Sequence, residues 1–479
     1  MKIVVFSLGV MFENVVQGGS QKVLRDLAIG LAQRGHTVTI LCPYRADNSR
    51  TYTIVPCAVV KPILPLRGAF PLPYGVSPFA LTEVCRIVQK EIKDADLLYC
   101  HDGGLNIEFL KNQIPTVISL RDFCYTETLL GALNFNEERI IVNSMHTFMC
   151  LQDSFQQVNP RIKEKISIVF NGYEGTVFKR REISQAFYEQ TGLSKKENEI
   201  IIGFPHRPDS DKGFMNALKV ISKMREKWGD RIKLLIPQYM DKGMSDRTDE
   251  TYNEINRCIK NMNLSKHIVT YDWISHEKMP EFYSYCDIIL CIGCFVEAFS
   301  NVSVESLLCG TPVVAANTST YKTMPIRQYL NIVPYGDTGR TIRAIEDILN
   351  GRGNELKEAR NYILNNLTVD KMIDGFERIF LESIESFRTR SEYNNQTINP
   401  VEPDCMDVES ARVRLSSWCQ CLEGKIFNDY THIYTDDVFQ GIFEENNEPI
   451  KVSRLRELGI RSEAIEENIK NGNLIYIIE

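Results

Sequence analysis

Twice along its length the chain alternates short β-branched runs, each ending in a polar loop, with stretches whose apolar residues recur at helical spacing. The first series passes through KIVVFSL, HTVTILCP, DADLLYCHDGG, PTVISLRDF and RIIVNS, with SQKVLRDLAIGLAQRG as its first helical segment. The second passes through EIIIGFPHR, RIKLLIPQ, HIVTYDWI, CDIILCIG, TPVVAAN and LNIVPYGD. This alternation is the signature of parallel sheets with helices on their faces. It predicts an α/β fold of two Rossmann-like units joined near residues 166–200, with a ligand site in the cleft between them. In such sheets ligands collect beyond the carboxyl ends of the strands. His101, Asp102, Arg121, Asp122 and Ser144 occupy such ends.

A chain of 479 residues with 43% hydrophobic content has room for two or three domains and large cores. Its net charge of −7 gives no global basic field for nucleic acid. The opening MKIVVFSLGVMFENVV has one lysine, a short apolar run, then Glu13, and no small-residue cleavage site. It reads as a buried first strand and not as a signal peptide. No apolar run reaches the roughly 18 residues of a spanning helix. A cytoplasmic protein is expected, with the inner face of a membrane as its alternative location. The 14 cysteines are scattered, several in apolar runs (Cys42, Cys100, Cys286, Cys309), which suits reduced core thiols. Cys291 and Cys294 form a lone C-x-x-C with no second pair at zinc spacing, so no metal is expected.

The boundaries fall at residues 1–175 for the first Rossmann-like domain and 176–368 for the second. Residues 369–388 form an amphipathic helix that crosses back to the first domain. Residues 389–409 are polar, contain proline and read as a linker. In residues 410–479, DDVFQGIFEEN, KVSRLRELG and SEAIEENIKNG read as short helices and NLIYIIE as a strand. A small, mainly helical, winged-helix-like module is predicted there. It is acidic, which argues against DNA. A packing extension and a surface that docks a protein or peptide both remain open.

Two stretches carry chemistry. In GFPHRPDSDKGF, Arg207 and Lys212 follow a strand and Gly213 opens a helix. Two cations beside a helix N-terminus suit a diphosphate; solvated surface charges are the bland alternative. In VEAFSNVSVESLLCGTP, Ser300, Asn301 and Val302 fall at a helix start, where backbone N–H groups can face an anion. Glu305 lies about one turn inside and can accept two hydroxyl groups, as from a ribose. Glu297 precedes the turn and can hold hydroxyls of another ring. The alternative is that Ser300 or Asn301 caps the helix and the glutamates complement its dipole.

The phrase E-A-F-S-N-V-S-V-E-S-L-L-C-G-T-P-V-V-A resembles the E-x7-E hallmark of the retaining glycosyltransferases of family 4. Arg207, Lys212 and Gly213 fit the family's Arg-x4-Lys-Gly phrase. FNGYEGTVF, with Asn171, Gly172 and Phe178, the Gly-Gly loop of QGGSQKVLRDL and the SLRDF element follow the family order over about residues 1–388. The resemblance implies a GT-B architecture, the first domain on the acceptor side and the second holding a nucleotide-sugar, with no metal or other cofactor. UDP is the family's commoner nucleotide. Arg207 and Lys212 would neutralise the departing diphosphate, Glu305 would bind the ribose and Glu297 a hydroxyl of the donor sugar. Amides around Phe299, Ser300, Asn301 and Val302 would support sugar and phosphate, with Gly18 and Gly19 approaching closely. The sugar would move to an acceptor hydroxyl with retention, a leaving phosphate oxygen taking the proton. The two glutamates are then ligand holders and not an acid/base pair.

The sequence also departs from the pattern. Arg121 stands where many relatives have histidine; it, Asp122 and His101 are sugar or acceptor contacts by this resemblance, or locally satisfied groups. NTSTYKT replaces the family's Gly-Gly-x-x-Glu loop. The acceptor (a saccharide, lipid-linked sugar, peptide or natural product) is not fixed by these residues. The proline-rich stretch 60–80 caps the cleft or touches a membrane surface. Competing readings are a non-catalytic partner that binds a sugar nucleotide, and a GT-B epimerase or phosphorylase. A dinucleotide oxidoreductase is disfavoured because no G-x-G-x-x-G follows the first strand.

Overall fold

The computed structural model describes residues 1–477 apart from 17, 68–72, 104–112, 124, 134–138, 156–161, 195, 207–210, 239–247, 273, 353–354, 394–410, 430, 440 and 444–446. Arg207, most of the 389–409 linker and part of the 60–80 stretch therefore lie outside the described residues.

The first sheet has eight strands between Lys2 and Ile168, in the order 3-4-2-1-5-6-7-8 counted along the chain. Its third and fourth strands pair antiparallel; the other pairs are parallel. Strands such as Thr116–Leu120 are buried on both faces, which explains their continuous apolar character. The second sheet has six parallel strands between Ile200 and Val333, in the order 3-2-1-4-5-6. In the first sheet the strand order reverses between Lys2–Ser7 and Leu97–His101. In the second it reverses between Ile200–Gly203 and Ile288–Cys291. At such a point neighbouring connections leave on opposite faces and open a crevice at the strand ends.

The helix Val369–Tyr393 returns to the first domain and packs on the helix Gly19–Gln33. Gly30 permits the approach, since a Cβ there would run into Ile373. Ile373, Phe376 and Phe380 share a core with Val5 and Tyr99, so this late helix completes a core of the first sheet. Arg34 fastens the pair at 2.6 Å from both Asp374 and Glu377. Cys42, Cys100, Cys286 and Cys309 are buried and in no disulfide. Among the described residues no helix is long and apolar enough to cross a membrane.

The C-terminal module corrects the sequence reading: it is mainly β and not mainly helical. Two three-stranded sheets are built from Arg412–Leu415, Ile450–Lys451 and Leu474–Ile477, and from Cys419–Leu422, Lys425–Asn428 and Ile433–Asp436. Two helices, Val452–Glu457 and Ser462–Lys470, accompany them. The third expected helix, DDVFQGIFEEN, is absent over its described residues. There the Asp437 carboxylate accepts the N–H groups of Phe439 and Gly441 at 2.9 and 3.0 Å, a local turn that competes with a helix. Glu423 and Gly424, both at positive φ, make the tight turn that pairs the strands on either side.

Candidate active site

Both loops at the switch point of the second sheet are joined by their backbones. The N–H groups of Cys294 and Phe295 donate to the Asp211 carbonyl at 2.8 Å. Gly213 sits at φ +90, where a Cβ would stand 2.6 Å from the Ile292 carbonyl oxygen and the Gly293 nitrogen. A Cβ on Gly293 would in turn run into the Asp211 carbonyl oxygen. The two glycines thus let the loops lie flat on one another. That contact brings the Lys212 ammonium to 2.6 Å from the Glu297 carboxylate and 3.7 Å from the centre of the Phe295 ring. Lys212 and Glu297 thus form an ion pair.

The helix Asn301–Leu308 begins beside this pair. Ser300 caps it, its hydroxyl accepting from the Ser303 N–H at 3.4 Å and from the Tyr321 hydroxyl at 2.7 Å. Gly310, in the left-handed region, stops it before the strand Val313–Ala316. Glu305, one turn inside, is buried. The Tyr283 hydroxyl donates to its Oε2 at 2.8 Å, and His276 Nε2 lies 3.7 Å from its Oε1.

The first domain reaches the same helix start. Gly19 lies so close that a Cβ would run into the Asn301 side-chain nitrogen. Asn301 Oδ1 accepts from Asn171 Nδ2 at 2.8 Å and from the Tyr173 hydroxyl. Asn171 Oδ1 in turn accepts from the buried Arg121 guanidinium. A relay from Arg121 through Asn171 to Asn301 therefore spans the cleft.

Two cavities meet at this point. One, of about 270 Å³, is lined by Arg121, Asp122, Lys212, Glu297, Phe299 and Ser300. The other, of about 240 Å³, is lined by Gly18, Lys22, His276, Tyr283 and Glu305. Gly19, Asn301 and Val302 line both, so the helix start is the partition. Burial, reinforced by the charges of Asp102 and Glu297, pushes the Asp122 carboxyl up to about 7 against the opposing pull of Lys212 and Arg121. Half-buried by surface area, Asp122 sits deep in the cleft between the domains.

His101 is placed differently. Its ring nitrogens lie 2.8 Å from the Tyr99 and Ser20 hydroxyls, behind the larger cavity, and burial pushes its pKa down to about 4. Ser20 itself lines that cavity, as do Asn143, Tyr125 and His206. None of these four was singled out as a site residue from sequence, although Ser20 follows Gly19 and His206 follows a switch-point strand. Burial holds His206 neutral, with its pKa near 4. Among the described residues one trio of metal-ligating type comes together: Asp211, Cys294 and His432, with ligand atoms within 4.8 Å of one another. None of the three lines either cavity. Burial pushes the Cys294 thiol up, away from the thiolate a metal needs.

Two Rossmann-like domains whose switch points face one another across a cleft, with cations and carboxylates at one helix start, define a GT-B enzyme. Residues 17–174 match the model of Glycosyltransferase Family 4, and residues 189–366 match that of the glycosyl transferases group 1. Together these cover most of the chain, which belongs to this glycosyltransferase family. Solved structures of similar fold include a sucrose-phosphate synthase from Thermosynechococcus elongatus (16% identity, 82% of this chain and 100% of that one, TM-score 0.60). Anabaena HepE in complex with UDP and glucose is another (16%, 80% and 100%, 0.59). An α,α-trehalose-phosphate synthase from Burkholderia vietnamiensis is a third (11%, 80% and 98%, 0.62). No curated protein matches the chain.

Proposed function

We propose that the chain transfers a sugar from a UDP-sugar to an acceptor hydroxyl with retention of configuration and without a metal. The observation that carries this reading is the partition of two cavities by one helix start, with Lys212 and Glu297 on one side and Glu305 on the other. The nucleoside fills the smaller cavity, where Glu305 accepts ribose hydroxyls and Tyr283 steadies its second oxygen. The diphosphate lies against the first-turn amides of Asn301 and Val302, with Gly19 close enough to touch it. Lys212 leaves Glu297 for a phosphate oxygen, and Glu297 is freed to accept a hydroxyl of the donor sugar. Arg207 supplies the second cation, as the family pattern implies.

The acceptor enters past Arg121 and Asp122. Its oxygen bonds to the anomeric carbon on the face from which the diphosphate departs. The carbon–phosphate-oxygen bond breaks, and the acceptor proton passes to a phosphate oxygen. Lys212, Arg207 and the helix amides take up the charge that develops on the leaving group, which is the larger part of the catalysis. Binding of UDP and glucose by HepE, a neighbour of the same fold, supports the choice of nucleotide.

A thermal-shift panel of UDP-, GDP-, ADP- and dTDP-sugars against wild type and Glu305→Ala tests the reading. Stabilisation by the UDP series alone, reduced in the variant, is expected. Stabilisation by none of them in a folded protein would turn the assignment toward a non-catalytic partner. The anomeric coupling of the product, read by NMR, tests retention.

A further inference from the structure

The C-terminal module is held to both domains through buried carboxylates. Asp153, on the first domain's helix Met145–Phe155, accepts the Ser417 N–H at 2.9 Å, the Ser417 hydroxyl and the Arg414 guanidinium. Asp429 of the module is fully buried against the second domain. It accepts the Ser319 N–H at 2.9 Å and the Lys322 ammonium at 2.7 Å. The Lys322 ammonium also lies 3.4 and 3.3 Å from the carbonyl oxygens of Ser417 and Cys419. Phe427 stacks on Tyr335 of the second domain with ring centres 5.0 Å apart.

The loop that Asp429 grips is the one in which the sequence departs from the family pattern, and its backbone is unusual. Ser319 has φ +48, a left-handed conformation that residues with side chains seldom adopt. Asp429 braces it from outside the loop, accepting both the Ser319 N–H and the Lys322 ammonium. The loop in turn holds the segment that carries Glu297. The Ser319 hydroxyl donates to the Glu297 carbonyl at 2.6 Å, and the Thr320 N–H reaches the same oxygen at 3.3 Å. Thr318 Oγ1 donates to the Gly293 carbonyl at 2.9 Å. Both ends of Gly293–Glu297 are thus pinned from this loop, while Glu305 and the smaller cavity lie on the far side of the helix start.

We propose that Asp429 is a positioning residue for the transfer: through Ser319 it fixes the place of Glu297 in the larger cavity. The module therefore governs how the donor sugar is held and leaves the nucleotide end alone. This rests on the reading that Glu297 holds the donor sugar.

The test uses the full chain with UDP as the nucleotide probe and UDP-glucose as the donor probe. Asp429→Asn keeps an acceptor for the Ser319 N–H but removes the charge that meets Lys322. Ser319→Ala removes the hydroxyl bond to Glu297 and leaves the ion pair, so it carries the test if the first variant does not fold. In both, UDP affinity by calorimetry is expected to stay within about twofold of wild type. The kcat for release of UDP from UDP-glucose is expected to fall by about tenfold to a hundredfold, the scale of an ångström-sized misplacement. Equal kcat in wild type and variants, or UDP affinity and kcat falling together, overturns the proposal and leaves the donor reading standing. Wild type that binds no UDP and releases none overturns that donor reading, and the proposal falls with it.

Discussion

Lys212 has two partners, a carboxylate and an aromatic face, and in the proposed reaction it exchanges the first for a phosphate oxygen. Lys212→Ala is expected to lower kcat by about 10²- to 10³-fold, the usual cost of one charge-stabilising donor, measured at saturating donor. Glu305→Ala acts on binding instead. Loss of hydrogen bonds to a charged group, each about 1.5–3 kcal/mol, should weaken UDP by at least about tenfold in calorimetry. Asp122 carries the pH dependence. Its pKa rises from 3.8 to about 7 on folding, so the native state holds a proton that the unfolded chain has released. Stability therefore falls as pH climbs from about 4 to about 7 and levels off above. Asp122→Asn should match wild type in melting temperature near pH 4 and exceed it near pH 8. Its ionised form is the one able to accept an acceptor hydroxyl. Wild-type kcat/KM should accordingly rise through pH 7, and the variant should lose that limb.

At the scale of elements, the site depends on two loops lying flat against one another. Gly213→Ala adds a left-handed penalty of about 1–2 kcal/mol and a clash with the backbone of Ile292 and Gly293. A fall of roughly 1–4 °C in melting temperature is expected by calorimetry for a cooperative unit of this size, with separation of Lys212 from Glu297. Much of this arrangement was legible in the sequence. Each predicted strand of both sheets has its counterpart, because parallel strands buried on two faces leave unbroken apolar runs. The positions of Lys212, Ser300 and Glu305 followed from strand ends and a helix start, which are local features. The Lys212–Glu297 ion pair and the relay from Arg121 to Asn301 were not legible, because each joins side chains far apart in the chain. NLIYIIE was read correctly as a strand, but the other C-terminal strands were missed because their runs of two to four residues are short. A carboxylate-centred turn at Asp437 also sits in a stretch whose apolar spacing imitates a helix. His206 and Ser20 were missed because their residue types are common and only the folded cleft makes them neighbours of Glu297.

At the scale of the molecule, the two Rossmann-like domains are tied by the helix Val369–Tyr393, by the contacts of Asn171 and Tyr173 with Asn301 and by the C-terminal module. A single calorimetric unfolding transition is expected, and UDP at a hundred times its Kd should stabilise that transition as a whole by about 2.7 kcal/mol. Two separated transitions, with only one moved by UDP, would show that the ties are weaker than the domains. The helix Val369–Tyr393 also has a consequence during synthesis. The apolar face of the helix Gly19–Gln33 leaves the ribosome early, yet Ile373, Phe376 and Phe380, which cover it, are made only after the whole second domain. At roughly 5–20 residues per second that delay is on the order of tens of seconds. The nascent first domain spends this time with part of that apolar surface uncovered. A messenger truncated before the codon for Val369 would yield a polypeptide that never covers that surface and aggregates.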